Sequence, residues 1–257
     1  MTHRLAEMTW PEVERAVAAG CTTVILPLGA TEQHGPHLPL GTDTVRAAFL
    51  ATQLGARRSD VLVAPAIPIG CSDEHTGFAG LLSLDHETLA GLIVDCARRM
   101  TAWGVRRLVL LSAHGGNARA LEMARARLKE QPGGLEVTVL TSSRMLDRTL
   151  ADIAAADGIK PDEAGLHAGE SETSEMLHLC PGLVRMERAV AGYTGSMADV
   201  MPLLRQVGLR PVTPTGTLGD PRAACPHRGG SYLRERIDGL LRMLPADTGA
   251  LGEKAGP

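Results

Sequence analysis

Four short apolar runs, TTVILPLG (22–29), VLVAPAIPIG (61–70), RRLVLLSA (106–113) and LEVTVLTS (135–142), alternate with amphipathic stretches of helical length. This alternation is the strongest constraint on the fold. Each run is bounded by Gly, Pro or polar residues and reads as a buried strand. A helix is expected after Asp85, a fitting N-cap, with Leu89, Leu92, Ile93, Cys96, Met100 and Trp103 on one stripe before Gly104 ends it. Another is expected from Asn117, with Leu121, Ala124 and Leu128 together. Strands that alternate with helices predict an α/β fold, a mainly parallel central sheet covered on both faces.

The second half reads as more helical, with 171–180, 197–208 and 229–243 as predicted helices. Between them runs PVTPTGTLGDPRAACPHRGG (211–230). A loop this long is expected to be a lid, a substrate-facing loop or an oligomer contact. One domain is expected over 1–244, followed by a Gly/Ala-rich tail at 245–257 that frays.

Composition removes several functions. Lys and Arg number 26 against 29 Asp and Glu, and aromatics are only 2%. No positive excess draws the chain to nucleic acid or an anionic membrane, and few rings are present to stack bases. The five cysteines form no C-x-x-C pair, which argues against a disulfide framework. The first twenty residues carry charges throughout, unlike a signal peptide, and no apolar run reaches membrane-spanning length. A reducing, cytoplasmic setting is expected.

Three polar clusters carry the candidate chemistry. Glu32-Gln33-His34-Gly35-Pro36-His37, with Asp43 beyond it, follows the first apolar run. His114-Gly115-Gly116-Asn117 follows the third. Ligands of open parallel sheets bind outside the strand carboxyl ends, so both clusters belong to one rim. The third cluster, EAGLHAGESETSE (163–175), holds His167, Glu170, Glu172 and Glu175 and reaches that rim only if the fold brings it there. Glu, His and Asp together suit Zn, Mn or Fe. Two such ions roughly 3.5–4 Å apart activate water and polarise a carbonyl jointly. His167 and the neighbouring glutamates, Glu170 among them, would then move a proton to a leaving nitrogen. Asn117 is expected to cap its helix and donate a hydrogen bond.

Each cluster alone has a plainer explanation. E-x-H occurs in surface loops, HGGN serves as a helix-capping turn or anion nest, and glutamates favour a solvated first turn. His37 competes with His34 as a ligand, whereas His75 and His86 read as ordinary loop or cap histidines, and Met197 and Met201 as core. No G-x-x-x-x-G-K-[ST] or G-x-G-x-x-G follows any strand, which disfavours a nucleotide-binding protein.

Taken together, LPLGATEQHGPHLPLGTDT (26–44), IGCSDEHTGFAGLLSL (69–84), LLSAHGGNARAL (110–121) and HAGESETSEML (167–177) resemble the signatures of the creatininase (creatinine amidohydrolase) family, in the family order. The resemblance implies a three-layer α/β sandwich, two divalent metal ions per chain and hydrolysis of an amide C–N bond. By position, Glu32, His34, Asp43 and His114 match metal ligands, with Asp43 bridging, and His167 matches the histidine that protonates the leaving nitrogen. Creatininases carry a further ligand glutamate where Gly116 stands here, and Glu172 is expected to replace it. Members with HGGN include formamide hydrolases of deazaflavin biosynthesis and the mycofactocin-system peptidase branch, which residues 197–225 resemble most. The implied substrate is a short modified peptide or a small cyclic amide or formamide. The family resemblance also implies a homo-oligomer, often a hexamer. A metal-binding scaffold without turnover is the remaining alternative.

Overall fold

The computed structural model describes residues 3–130, 134–141 and 147–246. The first half runs α1 (Trp10–Ala18), β1 (Thr23–Leu28), α2 (Thr42–Gly55), β2 (Val61–Val63), α3 (His86–Ala102), β3 (Arg107–Ser112), α4 (Ala118–Lys129) and β4 (Glu136–Thr141). The second half contributes α5 (Asp147–Ala156), α6 (Pro161–Ala164), α7 (Glu170–Leu179), α8 (Met197–Val207) and α9 (Pro226–Met243).

The four strands form one sheet in the order β2-β1-β3-β4, every pair parallel. Alternation along the strands divides the core. Val24, Leu26, Leu28, Leu108 and Leu110 face Leu89 and Ile93 of α3 and Leu121 and Ala124 of α4. Ile25, Val109 and Leu111 face Leu50 and Leu54 of α2 and Leu233, Ile237 and Leu240 of α9. Period-2 side chains thus bury both faces, giving the expected three layers. Each large aliphatic side chain removed from water contributes roughly 1.5–3 kcal/mol.

The predicted helix after Asp85 is α3: the Asp85 carboxylate accepts from Thr88 N at 2.6 Å, and the chain leaves the helix at Gly104, φ +108°. The second apolar run is a shorter strand than 61–70. Pro65 and Pro68 have no N–H to donate, and the ladder resumes only at Ile67, whose N–H reaches Pro27 O at 3.0 Å. Helix α9 starts at Pro226, inside the predicted long loop, with proline at a first-turn position. Residue 142 of the fourth run and residues 247–257 of the tail lie outside the described residues. All five cysteines are free thiols. No helix among the described residues is long and apolar enough to cross a membrane.

Candidate metal centre

Strands β1 and β3 are neighbours in the sheet, so the loops leaving their carboxyl ends meet. The loop after β1 carries Glu32 and His34, and Asp43 follows in the first turn of α2. The turn after β3 carries His114, and the loop after β2 brings His75 to the same rim. Helix α7 and the residues before it bring Glu172 and His167 from more than fifty positions beyond His114. Glu32, His34, Asp43, His75 and His114 are all buried.

Asp43 lies at the middle. Its Oδ1 is 3.4 Å from His34 Nε2, and its Oδ2 is 3.3 Å from His114 Nδ1. Glu32 Oε2 lies 3.3 Å from the same His114 nitrogen, and Glu172 Oε2 lies 4.0 Å from His34 Nε2. Two ligand-type groups result, Glu32–Asp43–His114 and His34–Asp43–Glu172, which share Asp43. A third, Glu32–His34–His167, overlaps both. Glu32 Oε1 and Oε2, His34 Nε2 and Asp43 Oδ2 are buried without a hydrogen bond. Burying such groups unpaired is costly, and the carboxylates of Glu32, Asp43 and Glu172 crowd together here with Arg46 as the permanent cation beside them. Carboxylate and imidazole donors aimed inward without partners fit a divalent cation.

The charges polarise one another. Burial opposes ionisation of Glu32, but His114 overcomes it and pulls the carboxyl down to about 2. Burial likewise opposes Asp43, which His34 and His114 hold well below the usual carboxylate range. His34 is raised to about 9 against its burial by Asp43, and His114 is raised by Glu32 and Asp43. His75 goes the other way, down to about 3, through burial and the neighbouring His167. His167 is also lowered, by burial and by His34.

The family model described as creatininase, creatinine amidohydrolase, matches residues 6–244. The chain belongs to the creatininase family. It is an amidohydrolase, acting on carbon–nitrogen bonds. It is 38% identical over 237 residues to a mycofactocin precursor peptide peptidase from Mycolicibacterium smegmatis, covering 89% of this chain and 88% of that one. It is 31% identical over 256 residues to the creatinine amidohydrolase of Pseudomonas putida, covering 93% and 95%. Among solved structures, a mutant creatininase of Zn–Zn type superposes with a TM-score of 0.79 at 29% identity, over 94% of this chain and 96% of that one.

Within this creatininase-family site, two expected participants lie elsewhere. Glu170 turns away from the cluster: Ser174 Oγ (2.5 Å), Arg228 Nε (2.7 Å) and Tyr232 OH (2.8 Å) all donate to its carboxylate. Asn117 does not cap its helix by side chain. Its Oδ1 accepts from Cys71 N at 2.9 Å and its Nδ2 donates to Gly29 O at 3.0 Å, which ties the three rim loops together. His37 stands one step out, its Nε2 paired with Thr173 Oγ1 at 2.8 Å. It is lowered to about 4 by burial and His34.

Sequence reasoning missed His75, Gln33 and Arg46. His75 follows β2, so the strand-end rule that found the other two clusters also points to it. Arg46 lies three residues after Asp43, on the same face of α2. It donates to Glu172 Oε1 at 2.5 Å and to Glu175 Oε2 at 2.7 Å. Glu172 Oε2 accepts from Ala168 N at 2.8 Å. Ala168 has φ +51°, the single non-glycine positive φ among the described residues, directly after His167. Such strain concentrates at functional sites. At Gly116 a Cβ would lie 2.1 Å from Cys71 O and 2.4 Å from His114 Nε2. This backbone therefore admits only glycine at the position where the family resemblance implies a ligand glutamate.

Proposed function

We propose that this amidohydrolase is a peptidase that cleaves a C–N bond in a short modified precursor peptide. It would hold two divalent ions, one at Glu32, Asp43 and His114, the other at His34, Asp43 and Glu172. The observation that carries the reading is the shared Asp43, whose two oxygens face two different histidines 3.4 and 3.3 Å away. Zn, Mn or Fe suits this mixed carboxylate–imidazole set. Such ions supply water acidified towards neutrality and Lewis-acid polarisation of the scissile carbonyl.

The chain's own groups do the rest. Asp43 and Glu32 stay ionised at neutral pH, and Arg46 holds Glu172 Oε1 so that Oε2 turns towards His34. His167 Nε2 donates to Gln33 O at 2.7 Å, so its bare Nδ1 faces the cluster, 3.8 Å from Glu32 Oε1. A neutral imidazole in this position accepts a proton from attacking water and delivers it to the leaving nitrogen. The five free thiols suit a cytoplasmic setting for this activity.

The peptide substrate is supported by relatives named mycofactocin precursor peptide peptidase, 34% to 38% identical across 86% to 95% of this chain. Similarity to the Pseudomonas putida creatinine amidohydrolase favours a small cyclic amide as the second reading, although Gly116 departs from the creatininase pattern there. The test incubates the Zn- or Mn-loaded protein with a mycofactocin-type precursor peptide and, separately, with creatinine, followed by mass spectrometry with and without chelator. Chelator-sensitive cleavage of the peptide is the expected result. Turnover of creatinine alone would move the second reading to first place, and no hydrolysis of any amide would favour a scaffold. Light scattering checks the implied homo-oligomer.

A further inference from the structure

Gln33 stands between the two proposed ligands of the E-Q-H run, and both ends of its side-chain amide are committed. Its Oε1 accepts from Gly35 N at 2.8 Å, and its Nε2 donates to Gly216 O at 3.1 Å. One backbone donor and one backbone acceptor therefore fix which end of the amide is which. The second Nε2 hydrogen lies near two ring nitrogens, His75 Nδ1 at 3.0 Å and His167 Nε2 at 3.1 Å; the latter donates to Gln33 O at 2.7 Å and cannot accept, so His75 Nδ1 is the acceptor. His75 must accept at Nδ1 and carry its proton at Nε2, which lies 3.2 Å from Glu32 Oε1. The backbone carbonyl of the same residue receives His167 Nε2–H, which leaves His167 Nδ1 bare, 3.8 Å from that same Glu32 oxygen.

We propose that Gln33 is a positioning residue that divides the labour of the two histidines flanking Glu32: its side chain makes His75 present an N–H, and its carbonyl makes His167 present a lone pair. His75 then presents its N–H to Glu32 Oε1, 3.2 Å away, and stays off the metal, and His167 alone exchanges protons. Gly216, in the long loop before α9, belongs to the device. A Cβ there would lie 1.9 Å from Gln33 Oε1, so glycine is what lets the loop carbonyl close on the amide. The functional consequence rests on the peptidase reading above; the tautomers themselves do not.

The experiment is long-range proton–nitrogen NMR of histidine-labelled full-length protein, apo and Zn-loaded, for wild type, Gln33→Glu and Gln33→Met. In wild type both His75 and His167 should show Nε2–H with bare Nδ1, and His75 should keep its proton when Zn binds. Gln33→Glu should move the His75 proton to Nδ1 and leave His167 unchanged, because the carbonyl survives the substitution. Chelator competition should show Zn affinity lowered about 10-fold in both variants, as for loss of a group that orients a ligand. An Nδ1–H His75 in wild type, loss of its proton on Zn binding, or unchanged His75 signals in Gln33→Glu would overturn the proposal. The wild-type spectra decide even if a variant fails to fold. A wild type that binds no Zn yet shows these tautomers would sink the metal reading and leave the orienting role of Gln33 standing.

Discussion

Glu170 and Glu172 stand two residues apart on α7 and meet opposite environments. Two residues turn a helix through about 200°, so the two carboxylates must face different neighbours. Glu172 looks towards α2 and meets Arg46, Ala168 N and His34. Glu170 looks towards α9 and is filled by Arg228, Tyr232 and Ser174. One face of the helix leaves a carboxylate oxygen turned to the cluster, and the other uses every oxygen as structural glue. Glu175 joins the two sides, bonded to Arg46 at 2.7 Å and to Arg236 at 2.6 Å. The same side chain thus serves chemistry or packing according to what lies across from it.

The sharpest way to break this contrast is at its shared member. Asp43→Asn should empty both proposed ion sites, measured as metal per chain by plasma mass spectrometry. Peptide hydrolysis should fall on the order of 1,000-fold or more, the loss of several kcal/mol of transition-state stabilisation. Two retained ions and a near-native rate would end the bridging assignment. Glu172→Gln should reduce two ions to one and the rate about 100-fold, the upper end for disturbing a metal's surroundings. Unchanged stoichiometry there would mean that the vacancy at Gly116 is filled by another group.

Glu170→Gln should do the reverse. Metal content and the rate per folded molecule stay near wild type, while denaturant unfolding shows a loss of about 2 kcal/mol. That is below the usual cost of breaking a buried pair, because Arg228 keeps Asp157. If activity fell and stability did not, Glu170 would belong to the reaction after all. The smallest effect concerns Glu175, whose pKa burial raises but Arg236 and Arg46 lower further, for a net depression. A carboxyl depressed in the folded state stabilises fully above its ordinary range, and the contribution declines as pH falls through that range and is gone only below the depressed pKa. Between pH 6 and pH 3 the metal-free wild type should therefore lose more stability than Glu175→Gln in thermal melts. Parallel curves would show that Glu175 is not held by its two arginines.

Much of the site was legible before any coordinates. Apolar runs of strand length ended at Gly29 and near Ser112, and ligands of parallel sheets gather at such ends, so Glu32, His34 and His114 were found from local pattern alone. His75 obeys the same rule, but Pro65 and Pro68 blur where its strand stops, so that the sequence marks it only as a loop histidine. The expected role of Asn117 as a helix cap was local reasoning applied to a residue whose partners, Cys71 and Gly29, are distant in sequence. Arg46 and Gln33 stand beside local ligands, but their partners Glu172, Glu175, His75 and Gly216 arrive from elsewhere, so their roles carry no sequence signal.

By itself, then, the sequence determined the strand–helix alternation, the two faces of the sheet and the rim where two of the three polar clusters fall. These follow from side-chain burial at spacings of two and of three to four, which neighbouring residues encode among themselves. The tertiary structure alone decided that α7 reaches that rim, that Glu172 and not Glu170 faces it, and that the side chain and the carbonyl of Gln33 meet two different histidines. Those outcomes depend on α7 packing between α2 and α9, and packing is a property of surfaces assembled from residues distant in sequence.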